Sequence, residues 1–98
     1  MSDPDSKTIG GTMEETKKRH VRYLRAINSP VRRVILRALK ERPATIEVLK
    51  EKTHIDEKAI AWHLSILEYG YCVEKEVEGN TVLYKLTKEG QVVDYVDK

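Results

Sequence analysis

Three histidines, one cysteine and a pair of adjacent carboxylates are the side chains of this sequence whose types could do chemistry, and their spacing leaves them little to do. Cys72 is alone, which excludes an intrachain disulfide and a cysteine cluster for zinc. Its place at the start of an apolar strand predicts an inert core thiol. His20, His54 and His63 lie far apart, with no His-x-x-His pair and no cysteine beside them, so no metal site is expected. Asp56 and Glu57 are adjacent at a helix start, which is capping chemistry. There is no phosphate-cradling glycine loop, no nucleophile elbow and no Ser-His-Asp or Cys-His grouping. The expectation is a protein that is no enzyme and needs no cofactor. What remains is a row of exposed side chains, Glu57, Lys58, Ala61, Trp62 and Ser65, able to recognise but not to react.

These residues share one helix. Ile60, Leu64 and Leu67 recur at three- and four-residue intervals, with Ala59 and His63 on the flanks of the stripe. Asp56 can cap it, because a short carboxylate just outside the first turn accepts from free backbone N–H groups. Gly70 is expected to stop it in the left-handed conformation. Before it, a helix over 13–27 carries Val21, Leu24 and Ile27 on its apolar side, with Tyr23 near the edge. Asn28-Ser29-Pro30 breaks that helix and starts the next: Ser29 is placed to cap, and proline fits the first helical position. The second helix, 30–41, is expected to bury Val31, Val34, Ile35, Ala38 and Leu39. Pro43 ends it. Thr45 caps a short helix over 46–52 with Ile46, Leu49 and Val48 as its inward candidates, and 53–55 turn into the presented helix.

Past Gly70, 72–78 and 81–86 alternate as two strands around Gly79-Asn80. If Glu78 pairs with Thr81, Val73, Lys75 and Val77 face Leu86, Tyr84 and Val82, and Glu74 meets Lys85 across the strands. Gln91 to Val96 is expected to form a short last helix with Val92, Val93 and Val96. Three supporting segments, a presented helix and a hairpin make an α+β domain over 13–98 of the winged helix-turn-helix kind, whose second helix enters a major groove. Residues 1–12, short on apolar side chains, are expected to be flexible.

The charge is unevenly placed. Within the net +2, residues 17–42 carry a local +9, where ten Lys/Arg meet only Glu41, while 43–98 carry −4 and 1–16 the remaining −3. Such segregation suits a phosphate-bearing partner, although solvated helix faces would look the same. No apolar run approaches a membrane span and no apolar signal segment opens the chain, so a cytoplasmic protein is expected.

Three fragments resemble the ArsR-like winged-helix transcriptional regulators, especially their small archaeal members. Ile27-Asn-Ser-Pro-Val-Arg-Arg-Val-Ile-Leu-Arg-Ala-Leu39 is similar to the family's opening, with Pro30 and Arg32 on its proline and arginine. Ala59-Ile-Ala-Trp-His-Leu-Ser-Ile-Leu67 is similar to the recognition helix, with His63, Leu64 and Leu67 on its most characteristic positions. Val82-Leu-Tyr-Lys-Leu-Thr87 is similar to the second wing strand. Tyr71 stands where the family usually has glycine, so that corner is expected to be rebuilt. The cysteine pair of metal-sensing members is absent, as is the histidine and carboxylate set of their last helix.

The resemblance and the residues together imply a regulator bound to double-stranded DNA. Lys58, Ala61, Trp62 and Ser65 would contact bases; lysine donates to guanine O6/N7 and serine donates or accepts. Trp62 has three readings: contact with thymine methyls, stacking on a splayed base, or packing on the wing or a partner. Arg32, Arg33, Lys40 and Lys52 are the phosphate candidates, although the family's arginine at position 32 is largely structural. Lys75, Asn80 and Lys85 are the wing candidates, on a hairpin made awkward by Glu74, Glu76 and Glu78. A homodimer through Val21, Leu24, Val92 and Val96 is expected, since the family usually dimerises through its first and last helices. A winged helix serving as a protein-interaction module is the competing reading, favoured by the acidic wing. A nonspecific chromatin-like or RNA-binding protein is the third.

Overall fold

The computed structural model describes residues 13–92, so the expected flexible segment 1–12 and the residues 93–98, including Val93 and Val96, lie outside the described residues. Four helices are followed by a hairpin: α1 (Met13–Ile27), α2 (Pro30–Glu41), α3 (Ile46–Thr53), α4 (Glu57–Tyr69), β1 (Val73–Glu78) and β2 (Thr81–Leu86). A 3-10 turn, Glu89–Val92, occupies the beginning of the expected last helix.

Local chemistry explains the helix boundaries. Ser29 Oγ accepts from the Arg32 N–H at 3.3 Å, with Pro30 behind it at the first helical position. Thr45 Oγ1 accepts from Val48 N–H at 3.2 Å and Asp56 from Lys58 N–H at 3.0 Å. Each cap satisfies a donor that the first helical turn leaves free. Between α3 and α4, His54 takes the left-handed conformation (φ 59°), closing the turn with its N–H on Lys50 O at 2.9 Å.

The hairpin register is the expected one: Glu78 pairs with Thr81, Val77 with Val82, Lys75 with Tyr84 and Val73 with Leu86. Gly79 alone supplies a positive φ (61°) in the two-residue loop, the pattern of a II′ turn with glycine first. Lys85 Nζ lies 3.6 Å from carboxylates of both Glu74 and Glu76. A third short piece of sheet was not expected from the sequence. Ala44 pairs antiparallel with Tyr84 through N–H···O contacts of 3.0 and 2.8 Å, fastening the α2–α3 link to the wing.

The core joins Ala26 and Ile27 of α1, Ile35, Leu36 and Leu39 of α2, Leu49 of α3, and Ile60, Leu64 and Leu67 of α4 to Cys72 and Val73. Two inward faces differ from expectation. On α2 the buried stripe is Arg32, Ile35, Leu36 and Leu39, while Val31 and Val34 stay 40% and 38% exposed. The i, i+3, i+4, i+7 set is rotated by one residue because Arg32, counted as surface from its charge, goes inside. On α1, Tyr23, Ala26 and Ile27 turn inward and leave Val21 and Leu24 outside. Val48 is likewise exposed on α3.

Gly70 ends α4 with φ −89°, not in the left-handed region. Its role is space: a Cβ there would stand 2.6 Å from Ala26 Cβ and 2.7 Å from Arg22 O. The left-handed residue is Tyr71 (φ 67°), a conformation that glycine takes more readily than tyrosine. Thr87 Oγ1–H donates to Tyr71 O at 2.5 Å and holds that strained residue in place.

Candidate nucleic-acid interface

The buried face of α4 aims its opposite face outward. Ile60, Leu64 and Leu67 are sealed into the core, which leaves Glu57, Lys58, Ala61, Trp62 and Ser65 exposed as the spacing predicts. Ser65 Oγ–H is spent on Trp62 O, three residues back, at 2.6 Å, so the hydroxyl offers the outside mainly its lone pairs. Trp62 is 57% exposed, and its ring contact is with its own helix neighbour: the His63 and Trp62 rings make an edge-type contact, 63° between planes and 5.0 Å between centroids.

His63 is part of a polar knot behind that face. Arg32 is only 9% exposed, and its guanidinium donates from Nε to Ala26 O (3.0 Å) and from Nη2 to Arg25 O (2.9 Å). Nη1 reaches His63 Nδ1 at 3.3 Å. Arginine can only donate, so the histidine must present a lone pair there and carry its proton on Nε2. Burial, then the Arg32 charge, lower the His63 pKa below its ordinary value, and burial followed by Arg25 lowers that of Arg32. These contacts leave little of the guanidinium for a phosphate: Arg32 satisfies the carbonyls at the end of α1 and props α4 through His63.

Other basic residues are also engaged. Arg33 Nη1 donates to Ile27 O at 2.8 Å, a second tie to the end of α1. Lys52 pairs with Glu41 at 2.8 Å, a solvent-exposed contact that is easily exchanged. Arg22 lies 4.1 Å over the Tyr69 ring and donates to Tyr71 Oη at 3.3 Å, while Arg19 sits 3.8 Å over Tyr71 and 3.5 Å from Glu89. Much of the charge concentrated in 17–42 is thus used as glue. Lys40 is exposed at the end of α2 and lines a cleft with Arg42 and Lys85.

The wing lies beside the start of α4. Asn80, Thr81, Val82 and Tyr84 share a cleft of about 350 Å³ with Glu57, Thr45, Ile46 and Glu47, so hairpin and presented helix meet on one side. Lys75 and Asn80 are exposed, whereas Lys85 is half-buried and held by its glutamates. Next to this cleft, Glu47, Glu51, Asp56 and Glu57 with Lys50 and His54 border an open groove along the α3–α4 turn. Among the described residues, no three His, Cys, Asp or Glu side chains stand close enough to hold a metal ion.

The geometry defines a winged helix-turn-helix domain, with α3 and α4 as the helix pair and β1–β2 as the wing. HlyU from Vibrio cholerae superposes with a TM-score of 0.71 at 24% identity, covering 86% of this chain and 94% of that one. The transcriptional repressor BigR from Xylella fastidiosa gives 0.68 at 24%, covering 87% and 92%. Mb0332 from Mycobacterium bovis, a homodimeric winged helix-turn-helix DNA-binding domain described as a possible ArsR-family regulator, gives 0.74 at 20%, covering 99% and 84%. No protein-family model and no curated protein matches the chain. At these identities the structural likeness establishes the fold.

Proposed function

We propose that this chain is an ArsR-like transcriptional regulator that binds duplex DNA in the cytoplasm with α4 in the major groove, and that it carries out no catalysis. The observation that carries this reading is a helix whose core side is sealed by Ile60, Leu64 and Leu67, presenting Lys58, Ala61, Trp62 and Ser65 beside the wing. Lys58 is the polar base contact. Lys40, Lys52 and Arg33 serve the backbone as phosphate contacts, Arg33 with whatever its tie to Ile27 leaves over, and Lys75 and Asn80 extend the contact along the wing; Lys85 mainly steadies the hairpin.

The protein acts as a homodimer. Val21 and Leu24, 63% and 39% exposed, form an apolar strip on α1 that the other described residues leave uncovered, and Val92 and Val96 complete the interface in this reading. Two linked half-site contacts compensate for a reading helix with few strong ones. Leu24→Glu should shift the protein to monomer in sedimentation equilibrium at tens of micromolar, and a wild-type monomer mass would remove the dimer.

Selection from a random duplex pool, repeated with Lys58→Ala, tests the function. Enrichment of a sequence that the variant no longer prefers supports it. The acidic wing face and the carboxylates of the α3–α4 groove favour a protein-interaction module instead. Absence of any enriched duplex, with little dependence of binding on salt, would establish that reading in place of the first.

A further inference from the structure

The middle of the presented face is apolar where polar side chains would be expected to read base edges. Ala61 and Trp62 are adjacent and exposed, and the neighbouring Ser65 has its proton committed to a backbone carbonyl. Trp62 is also supported from behind: its ring makes an edge-type contact with that of His63, and His63 is pinned by Arg32, itself anchored on two carbonyls of α1. An indole held from one side and left open on the other is a preorganised apolar surface. The one bulky apolar group that the major groove offers such a surface is the C5 methyl of thymine; the other groups that distinguish base pairs there are hydrogen-bond donors and acceptors.

We propose that Trp62, flanked by Ala61, selects thymine through its methyl group, leaving Lys58 as the main polar discriminator of the site. This rests on the duplex-DNA reading above and adds the base class that the face selects. Of the surfaces open to Trp62 from sequence, a duplex suits it best, since its ring stands against His63 and more than half of the side chain is exposed.

The test uses the full chain and a duplex enriched from a random pool, with each thymine replaced in turn by deoxyuridine, which deletes only the methyl. At one or more thymines of each half-site, the wild-type Kd should rise roughly fourfold, the factor for losing burial of one methyl-sized group. Trp62→Gln, checked for native circular dichroism, should bind thymine and uracil duplexes equally, and Trp62→Leu should keep part of the preference. Trp62 is the sole tryptophan, so its emission should shift to the blue on the thymine duplex and less on the uracil one. An enriched site without thymine, a uracil duplex bound as tightly as its parent, or an undiminished preference in Trp62→Gln overturns the proposal while leaving duplex binding intact. Tighter binding to the corresponding single strand overturns it in favour of base stacking. Failure to bind any duplex overturns the proposed function itself.

Discussion

Replacing Arg32 with lysine separates a phosphate contact from a structural tie, because lysine keeps the charge and loses the fork. In the folded protein the guanidinium makes three contacts in three directions, to Arg25 O at 2.9 Å, Ala26 O at 3.0 Å and His63 Nδ1 at 3.3 Å. A single ammonium on a flexible stem can keep one of them well. Two charge-assisted contacts are then lost or replaced by strained ones, each with a typical worth of about 1.5–3 kcal/mol, and one carbonyl at the end of α1 stays poorly satisfied. Entry of water at this edge of the core recovers part of that, so the expected loss is about 3 kcal/mol. For a domain of this size it corresponds to roughly 12–24 °C in Tm. Urea unfolding followed by far-ultraviolet circular dichroism measures the loss as a shift in midpoint with the slope unchanged. Under conditions where the variant is folded, the salt slope of duplex binding should equal that of wild type. An Arg32→Lys variant whose stability stays within about 1 kcal/mol of wild type would show that the tie is dispensable, since that is less than one charge-assisted contact. If its salt slope also fell by about one unit, Arg32 would return to the phosphate contacts.

The remaining expectations follow from neighbouring contacts. Gly70→Ala should cost about 2–3 kcal/mol, because α1 must shift off α4 to admit the new Cβ. Adding Ala26→Gly should restore only part of the loss, since the Arg22 carbonyl remains 2.7 Å away; urea midpoints of the two variants check both statements. His63 has a lowered folded pKa, so the unfolded chain takes up a proton first as pH falls through 6.5, its ordinary value. Stability contributed by the neutral ring should therefore decline from pH 6.5 down to the folded pKa, and His63→Gln should flatten that decline in urea midpoints taken across the range. The Cys72 thiol is pushed up to about 11 by burial, with Glu89 adding to it. Iodoacetamide at about pH 8 should leave native protein unlabelled and modify it only in denaturant, as mass spectrometry would show.

What could be read along the chain was what neighbours in sequence decide. Ser29, Thr45 and Asp56 cap helices because their oxygens reach N–H groups two or three residues on, and each does so at the expected place. The hairpin register followed from alternation plus a two-residue loop, since a slip by one would have turned Val73 and Leu86 out of the core. The outward set on α4 was legible for the same reason: three leucine and isoleucine positions settle which side is buried. Tertiary packing decided the rest. Nothing local says that Arg32 goes inside, because its acceptors are carbonyls six and seven residues back and a histidine 31 residues ahead, brought together only when α1, α2 and α4 meet. That one placement rotates the buried face of α2 and leaves Val31 and Val34 outside. The left-handed turn falls at Tyr71 and not at Gly70 as expected, and Gly70 serves instead the close approach of α1, which needs a missing Cβ there. The Ala44–Tyr84 pairing, a single residue pair across forty positions, has no periodic signal in sequence; it exists because the α2–α3 link passes the open edge of β2. Composition set the abundance of arginine, but only the folded chain decides which arginines hold helices together, as Arg22, Arg32 and Arg33 do.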